Sequence, residues 1–320
     1  MKRSWRQIPA MDWLMIALIF YASLLLPLLV VQGTSGLASH VIATESSSAQ
    51  TFVDDLGRLV IINGTPQRIV SLAPSNTEIL FALGLGDKVV GVTDQDDYPP
   101  EALNKTKVGG YVTPDIEKIV ALKPDLVLVA YGTPMDVIDS MVGLGLTVYG
   151  IKTTDLDDLL NDIRTVGKIT GTQAKANALT SEMENTIKAV TTKTSGLQQR
   201  PRVFYMLWND PLWTAGSGTF INELIEKAGG VNICQNITGY AEVSIEDVLA
   251  SDPEIIITSK LCYDWAKNAT ELASTNASQT GRIYTLDDDL VQRQGPRLVE
   301  GLEWFAYFIH PEIFGKPEGS

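Results

Sequence analysis

Short apolar runs alternate with helix-like segments along most of the chain. Residues 68–72, 89–92 and 126–130 are rich in branched apolar side chains. A run of this kind is typical of a strand that is buried on both faces of a parallel sheet. Residues 75–78, Ser-Asn-Thr-Glu, have the spacing of a capping box and predict a helix over residues 79–85. Strands that alternate with helices in this way predict an α/β fold with parallel sheets.

The pattern changes between residues 155 and 194, where it is helical and polar. Gly167 and Gly171 interrupt this stretch, so we expect one shorter helix followed by one long helix. Strand-like and helix-like segments then resume. Strands are predicted over residues 202–208, 254–258 and 283–286, and a helix over residues 221–228. The chain therefore divides into two α/β halves that are joined by a helical segment.

An internal repeat supports this division. Residues 115–129 and 244–258 align without a gap, and the matched positions include Glu117 with Glu246. Each copy reads as a short helix, a proline and a buried strand. The first helix is expected to begin at Pro114, because proline is favoured at the first helical position, and the second to be capped by Ser244. Any helix–proline–strand unit has a similar pattern, so a purely structural explanation stays open.

The matched glutamates have two interpretations. A carboxylate in the first turn of a helix is stabilised by the helix dipole, which is a sufficient structural explanation. Two like charges at matching corners of two lobes also suit two basic sites on a symmetric partner, where charge pairs give orientation and speed of encounter.

The N-terminal segment has the layout of an export signal. Lys2, Arg3 and Arg6 precede an apolar stretch over residues 13–31, and a Ser- and Ala-rich tether follows. The stretch is long enough to span a bilayer, which favours a retained anchor over a cleaved signal. No cysteine follows it, which excludes a lipoprotein anchor. We expect the basic residues inside the cytoplasm and the rest of the chain outside.

Composition excludes several classes of function. The formal net charge of −13 argues against nucleic acid as a partner. The 320 residues include two cysteines and two histidines, too few for a cysteine or histidine metal cluster. Cys234 and Cys262 are a disulfide candidate in an oxidising compartment, with two separate buried thiols as the alternative.

No constellation of catalytic residues is evident. The chain has no phosphate-binding Gly-x-x-x-x-Gly-Lys motif, and residues 215–218 lack the Gly-x-Ser-x-Gly pattern of a nucleophile elbow. Neither His40 nor His310 is well placed to act as a base. We therefore predict no catalytic site, no resident cofactor and no metal site.

Aromatic residues instead occur in the segments between elements, in both halves of the chain. They lie beside glycine and proline and comprise Tyr98, Tyr111, Tyr131, Trp208, Trp213 and Tyr240. Core packing would also account for each ring. Loops at the ends of parallel strands are nevertheless where such folds bind ligands, and a cleft walled by flat rings suits a large, flat, partly apolar ligand.

These segments together resemble a known family. Residues 68–78, 97–100 (Asp-Tyr-Pro-Pro), 119–125 and 295–297 (Gly-Pro-Arg) are similar to the periplasmic binding proteins for cobalamin and iron–siderophore complexes. The resemblance covers residues 52–311. It implies two Rossmann-like lobes with parallel sheets, joined by a single long rigid helix, with the ligand cleft between the lobes.

The resemblance also implies a function. The chain is expected to be a monomeric extracytoplasmic protein that delivers its ligand to the permease dimer of an ABC importer. An exported α/β enzyme and a surface receptor without a permease are the alternatives. The expected organisation is an anchor and tether over residues 1–50, an N-terminal lobe over 51–154, a helical link over 155–200 and a C-terminal lobe over 201–320.

Within the family, residues 209–216 and 228–233 are most similar to cobalamin-binding members. The ligand contacts that the resemblance implies are Tyr111, Trp213, Tyr240, Asp289 and Arg293. Tyr98 and Tyr131 complete the predicted ligand set as aromatic residues of the loops. Glu117 and Glu246 fall on the residues that dock onto permease arginines. Gln95 and Ala130 depart from the aromatic residues of those members, so ferric siderophore, haem and a different corrinoid remain alternatives to cobalamin.

Overall fold

Two parallel sheets organise the fold. The computed structural model describes residues 49–317. Ala49–Val53 (β1) and Leu59–Asn63 (β2) form an antiparallel hairpin at the start. The strands of the first parallel sheet then follow, namely Ile69–Ser71 (β3), Val89–Val92 (β4), Thr106–Lys107 (β5), Leu126–Ala130 (β6) and Val148–Ile151 (β7). Their spatial order is β5–β4–β3–β6–β7.

Three helices accompany this sheet, namely Pro74–Ala82 (α1), Ile116–Ala121 (α2) and Met135–Gly143 (α3). Strand β6, which lies between β3 and β7, is buried at its first four residues, with Leu126, Val127, Leu128 and Val129 at 0% exposure. Each such side chain contributes about 1.5–3 kcal/mol of burial free energy, which explains why a continuous apolar run forms a strand here. We call residues 49–151 the N-terminal lobe.

Two antiparallel helices follow, Leu156–Thr170 (α4) and Gln173–Thr194 (α5). The predicted order of a shorter and a longer helix is confirmed. Gly171 ends α4 in the left-handed conformation at φ 71°, as expected for a glycine C-cap. Gly167 does not interrupt the helix, contrary to the prediction. A Cβ at Gly167 would lie 2.3 Å from the Ala176 Cβ, so glycine here allows α4 and α5 to pack closely.

The C-terminal lobe, residues 202–309, contains a second parallel sheet and a small antiparallel sheet. The strands are Arg202–Met206 (β8), Trp208–Asn209 (β9), Leu212–Ala215 (β10), Val231–Asn232 (β11), Tyr240–Glu242 (β12), Ile255–Thr258 (β13) and Ile283–Thr285 (β14). The parallel sheet has the order β11–β8–β13–β14, and the antiparallel sheet beside it has the order β12–β10–β9. The helices are Phe220–Lys227 (α6), Ile245–Ser251 (α7), Tyr263–Asn268 (α8), Asn276–Thr280 (α9), Asp289–Gln292 (α10) and Leu298–Ile309 (α11).

The two halves are joined by packing as well as by the chain. One apolar cluster contains Leu80 of α1, Ile163 of α4, Val203 of β8 and Phe305 of α11. The described residues, 49–317, accordingly belong to a single compact unit. The predicted α/β architecture with parallel sheets in two lobes is confirmed, while the residue boundaries of the lobes stay a prediction.

The repeat has a structural counterpart in both lobes. Arg68 donates through Nε to the Leu122 and Lys123 carbonyls at the end of α2, at 3.0 and 3.2 Å. Arg202 does the same to Ser251 and Asp252 at the end of α7, at 3.0 and 2.9 Å. The equivalent residues Lys123 and Asp252 both have positive φ, 47° and 43°. The shared contacts indicate that the two units are equivalent rather than similar by chance.

Two predicted helix starts need correction. Helix α2 begins at Ile116 with Asp115 as its N-cap, because the Asp115 carboxylate accepts the Lys118 amide at 3.0 Å; Pro114 precedes the helix. Helix α1 begins at Pro74, and no side-chain hydrogen bond caps its N-terminus. Glu78 instead pairs with an arginine of the other lobe. The predicted cap of α7 is confirmed, since Ser244 Oγ accepts the Asp247 amide at 3.1 Å.

No helix within residues 49–317 is long and apolar enough to cross a membrane. The predicted N-terminal anchor, residues 13–31, lies outside the described residues.

Candidate functional site

Three aromatic side chains share one face of the small antiparallel sheet. Trp213 of β10 lies directly opposite Trp208 of β9, and Ala215 lies opposite Tyr240 of β12. Directly opposed residues, and residues two apart on one strand, point to the same face of a sheet. Trp208, Trp213 and Tyr240, which we call the aromatic platform, are therefore neighbours, and they are 44%, 37% and 45% exposed.

Hydrogen bonds hold the platform strand in place. Thr214 points away from the platform, and its Oγ1 donates to the Tyr205 carbonyl of β8 at 2.7 Å. Asn232 Nδ2 donates to the Ala215 carbonyl at 2.8 Å. A Cβ at Gly216 would lie 2.0 Å from the Ile237 carbonyl oxygen, so only glycine allows this close approach of the two segments. The platform is thus built on a rigid support.

A second pair of rings comes from the N-terminal lobe. Tyr111 Oη donates to the carbonyl of Tyr131, the residue that follows β6. A Cβ at Gly132, where φ is +105°, would lie 2.7 Å from this hydroxyl, so glycine is required for the contact. Burial raises the pKa of Tyr111, which keeps the hydroxyl protonated and able to donate. Tyr131 itself is 65% exposed, and its ring faces the Lys152 ammonium at 4.9 Å.

Gln95, one of the two departures from the family pattern, has a structural contact in this region. Its Oε1 accepts the backbone amide of Tyr111 at 3.3 Å. The side chain therefore supports the Tyr111 loop in this chain.

Charged residues of the two lobes meet in a cluster that we call the interlobe ion cluster: Glu78, Asp97, Asp289, Arg293 and Arg297. Arg293 contacts Asp97 at 2.6 Å, Asp289 at 2.9 Å and Glu78 at 3.5 Å. Arg297 contacts Glu78 through Nε at 3.0 Å and Nη2 at 2.5 Å. The bond from Arg293 lowers the pKa of Asp97, whereas burial raises the pKa of Asp289. The predicted ligand residues Asp289 and Arg293 thus lie together.

Tyr98 belongs to this cluster as well. The Arg297 guanidinium lies over its ring, 3.7 Å from the centroid. Cavities of about 470 and 390 Å³ flank the stack, and both are lined by Tyr98 and Arg297. No other residue of the predicted ligand set lines these two cavities. One face of Tyr98 is already covered, so its surroundings differ from those of the platform rings.

The two matched glutamates occupy equivalent exposed positions. Glu117 lies in the first turn of α2 and Glu246 in the first turn of α7. Neither carboxylate has an ion-pair partner within residues 49–317. Both charges are therefore available at the surface.

The cysteines are separate. Cys234 and Cys262 are both buried and unbridged, so of the two alternatives the structure has two thiols and not the candidate disulfide. Cys262 Sγ accepts from Ser259 Oγ at 3.2 Å.

Most of the chain matches a known protein family. Residues 69–290 match the model of the periplasmic binding protein family. The chain belongs to this family. The family predicted from the sequence is therefore confirmed.

Individual relatives of this periplasmic binding protein are also informative. An uncharacterized ABC transporter substrate-binding lipoprotein, YvrC of Bacillus subtilis, is 34% identical over 92% of this chain and 97% of its own length. The vitamin B12-binding protein of Vibrio cholerae is 33% identical over 76% of this chain and 89% of its own length. The solved apo structure of the periplasmic heme-binding protein RhuT from Roseiflexus sp. RS-1 superposes with a TM-score of 0.70 at 28% identity, covering 78% of this chain and 99% of that one.

Sequence reasoning missed three members of the interlobe ion cluster. Glu78 fits the pattern of a helix cap, and Asp97 and Arg297 stand out only within the Asp-Tyr-Pro-Pro and Gly-Pro-Arg motifs. Glu78 and Arg297 are separated by 219 residues, so no local spacing could have joined them.

Proposed function

We propose that this chain captures cobalamin or a related corrinoid outside the cytoplasm and delivers it to the permease of an ABC importer. The observation that carries the proposal is the aromatic platform, a flat and exposed apolar surface on a rigid support. The similarity of the chain to a vitamin B12-binding protein, at 33% identity, supports the same ligand class.

The chemistry of the ligand fits these residues. A corrin ring is a large macrocycle with an apolar face and amide groups along its rim. Platform rings offer apolar contact to the face, and Tyr111 and Tyr131 offer a second aromatic surface from the other lobe. Arg293 and Asp289 offer a donor and an acceptor for rim amides. Tyr98 is a weaker member of the proposed ligand set, because Arg297 covers one face of its ring.

Haem is the second candidate. It is also a flat macrocycle, and the similarity to the solved heme-binding structure favours it specifically. Haem carries two carboxylates, which would compete with Asp97 for Arg293. Ferric siderophores are a third ligand class for the same cleft.

Ligand retention separates these candidates. The full chain in detergent is mixed with cyanocobalamin, haem or a ferric siderophore and then desalted, and the absorbance of the protein fraction is recorded. We expect the corrinoid spectrum to be retained at one ligand per chain. Retention of haem or siderophore with loss of the corrinoid would reject the cobalamin assignment.

We propose further that Glu117 and Glu246 dock onto two basic sites of the permease dimer. Two exposed like charges at equivalent corners suit a two-fold partner, and charge pairs of this kind give orientation and fast encounter. The double charge reversal Glu117→Arg with Glu246→Arg should abolish ligand uptake in cells and leave ligand binding intact. Full uptake by this variant would contradict docking through these two glutamates, and loss of ligand binding would indicate a structural role.

The remaining parts of the proposal concern organisation. Residues 13–31 anchor the chain in the membrane, and residues 51–154 and 201–320 act as the two lobes of a monomer, linked by residues 155–200. The binding cycle includes no catalytic step and no resident cofactor. Because α4 and α5 pack on each other and the lobes share an apolar cluster, ligand capture uses a largely preformed cleft with small closure.

A further inference from the structure

Glu78 is a buried carboxylate whose ion-pair partners all come from the other lobe. It lies in α1 of the N-terminal lobe at 3% exposure. Arg297 binds both of its oxygens, at 3.0 and 2.5 Å, and Arg293 approaches one of them at 3.5 Å. A bidentate pair of this kind fixes direction as well as distance. The position of Glu78 is therefore tied to the C-terminal lobe.

The ion pairs between the lobes all converge on the same two arginines. Within the described part of the chain, each salt bridge that joins the lobes uses Arg293 or Arg297. One of the anionic partners, Asp97, is 58% exposed at its side chain, so that pair is weak and screened by salt. Glu78 is the buried anion of the cluster. Without its charge, Arg293 and Arg297 would lie close together with no buried carboxylate between them.

Arg293 connects this cluster to the ligand. Its side chain is 16% exposed, and it is a proposed ligand contact. A flat ligand between two aromatic walls needs those walls at a defined separation. The apolar cluster and the paired helices α4 and α5 restrict large motions of the lobes. The smaller remaining changes in separation depend on contacts such as the interlobe ion cluster.

We propose that Glu78 is a positioning residue for ligand capture, which sets the spacing of the lobes and holds Arg293 in place without contacting the ligand. This inference rests on the proposed function for the role of Arg293. The lobe spacing itself is a property of the ligand-free protein, so it is tested separately.

The chain offers a closely matched control. Asp54 is also 3% exposed, and Arg58 binds it through Nε at 3.0 Å and Nη2 at 2.5 Å. This pair has the same nitrogen–oxygen distances, but both nitrogens bind one oxygen, Asp54 Oδ2, and the pair lies within one lobe. Glu78→Gln and Asp54→Asn each keep the side-chain shape and remove the charge. Both variants should lose stability, but only Glu78→Gln should change the lobe spacing.

The spacing is measured in the full ligand-free chain by pulsed EPR between spin labels at Asp139→Cys and Lys267→Cys, which are exposed positions in the two lobes. Both native cysteines are buried, which directs labelling to the introduced ones. We expect a longer or broader distance distribution in Glu78→Gln and an unchanged one in Asp54→Asn. Glu78→Asp, which keeps the charge, should recover most of the wild-type distribution. Indistinguishable distributions for wild type and Glu78→Gln would overturn the proposal.

A second readout is the affinity for whichever ligand the wild type retains. Glu78→Gln should weaken it roughly tenfold, and Asp54→Asn should not change it. A shifted distance with unchanged affinity would overturn the positioning role. If the wild type retains no ligand, the proposed function fails, while the distance measurement still decides whether Glu78 sets the spacing. If Glu78→Gln does not fold, Arg297→Lys, which keeps the charge but loses the bidentate pair, replaces it with the same expectations.

Discussion

Trp213 is the platform residue whose contribution can be worked out most directly. It is 37% exposed, which is about 90 Å² of a side chain of about 250 Å². If a ligand covers this area, the burial contributes about 2 kcal/mol at about 25 cal/mol per Å². Trp213→Ala should therefore raise the Kd about 30-fold, since each 1.4 kcal/mol is about a factor of ten.

The measurement is an isothermal titration of the full chain with cyanocobalamin, accompanied by a thermal melt. The control is Trp265→Ala, because Trp265 belongs to helix α8 and not to the platform strands, and it packs partly buried against the core of the same lobe. That variant should lose stability but keep its Kd. A folded Trp213→Ala protein whose Kd stays within about twofold of wild type would refute the reasoning that this ring forms a wall of the ligand site.

Further predictions concern stability, the support of the platform and the second ring pair. Burial, followed by the nearby charge of Asp55, raises the pKa of Asp162 to about 8, so the folded protein holds a proton that the unfolded chain releases above pH ~4. The free energy of unfolding should therefore fall between pH ~4 and ~8. Asp162→Asn should flatten this dependence and be more stable than wild type at pH 8 by on the order of 2 kcal/mol, as measured by urea unfolding; equal slopes would contradict it. Gly216→Ala should force the Ile237 segment away and lower both Tm and ligand affinity. An unchanged Tm would show that the Ile237 segment can move without loss of stability. Tyr111→Phe should loosen the Tyr131 loop, seen as faster amide exchange at residues 131–133; wild-type exchange would show that the hydroxyl bond is dispensable.

Local patterns predicted the elements of the fold well because burial is encoded locally. The run over residues 126–130 is apolar at each position, and β6 occupies those residues. The same local reading failed where a distant partner determines the role of a residue. The spacing of Ser75 to Glu78 fits a helix cap, but Glu78 pairs with Arg297, and α1 begins without a side-chain cap. Gly167 looks like a helix breaker along the chain, whereas its role is the approach of α5.

The site was predictable in part. Flanking glycines and prolines indicated Trp213, Tyr240, Tyr111 and Tyr131 as exposed rings, and each is at least partly exposed. The platform itself depends on strand register, since Trp208 joins Trp213 only because a two-residue strand pairs with β10. The pairing register of two strands cannot be predicted from the sequence of one short strand alone.

The central claim is that the two lobes bind a flat metal macrocycle of the corrinoid class. The most direct test is a competitive titration of the full chain, in which cyanocobalamin, haem and a ferric siderophore compete for one site. The account predicts saturation by cyanocobalamin at one per chain, with the other two displaced. Tight binding of haem or siderophore that cyanocobalamin cannot displace would contradict it.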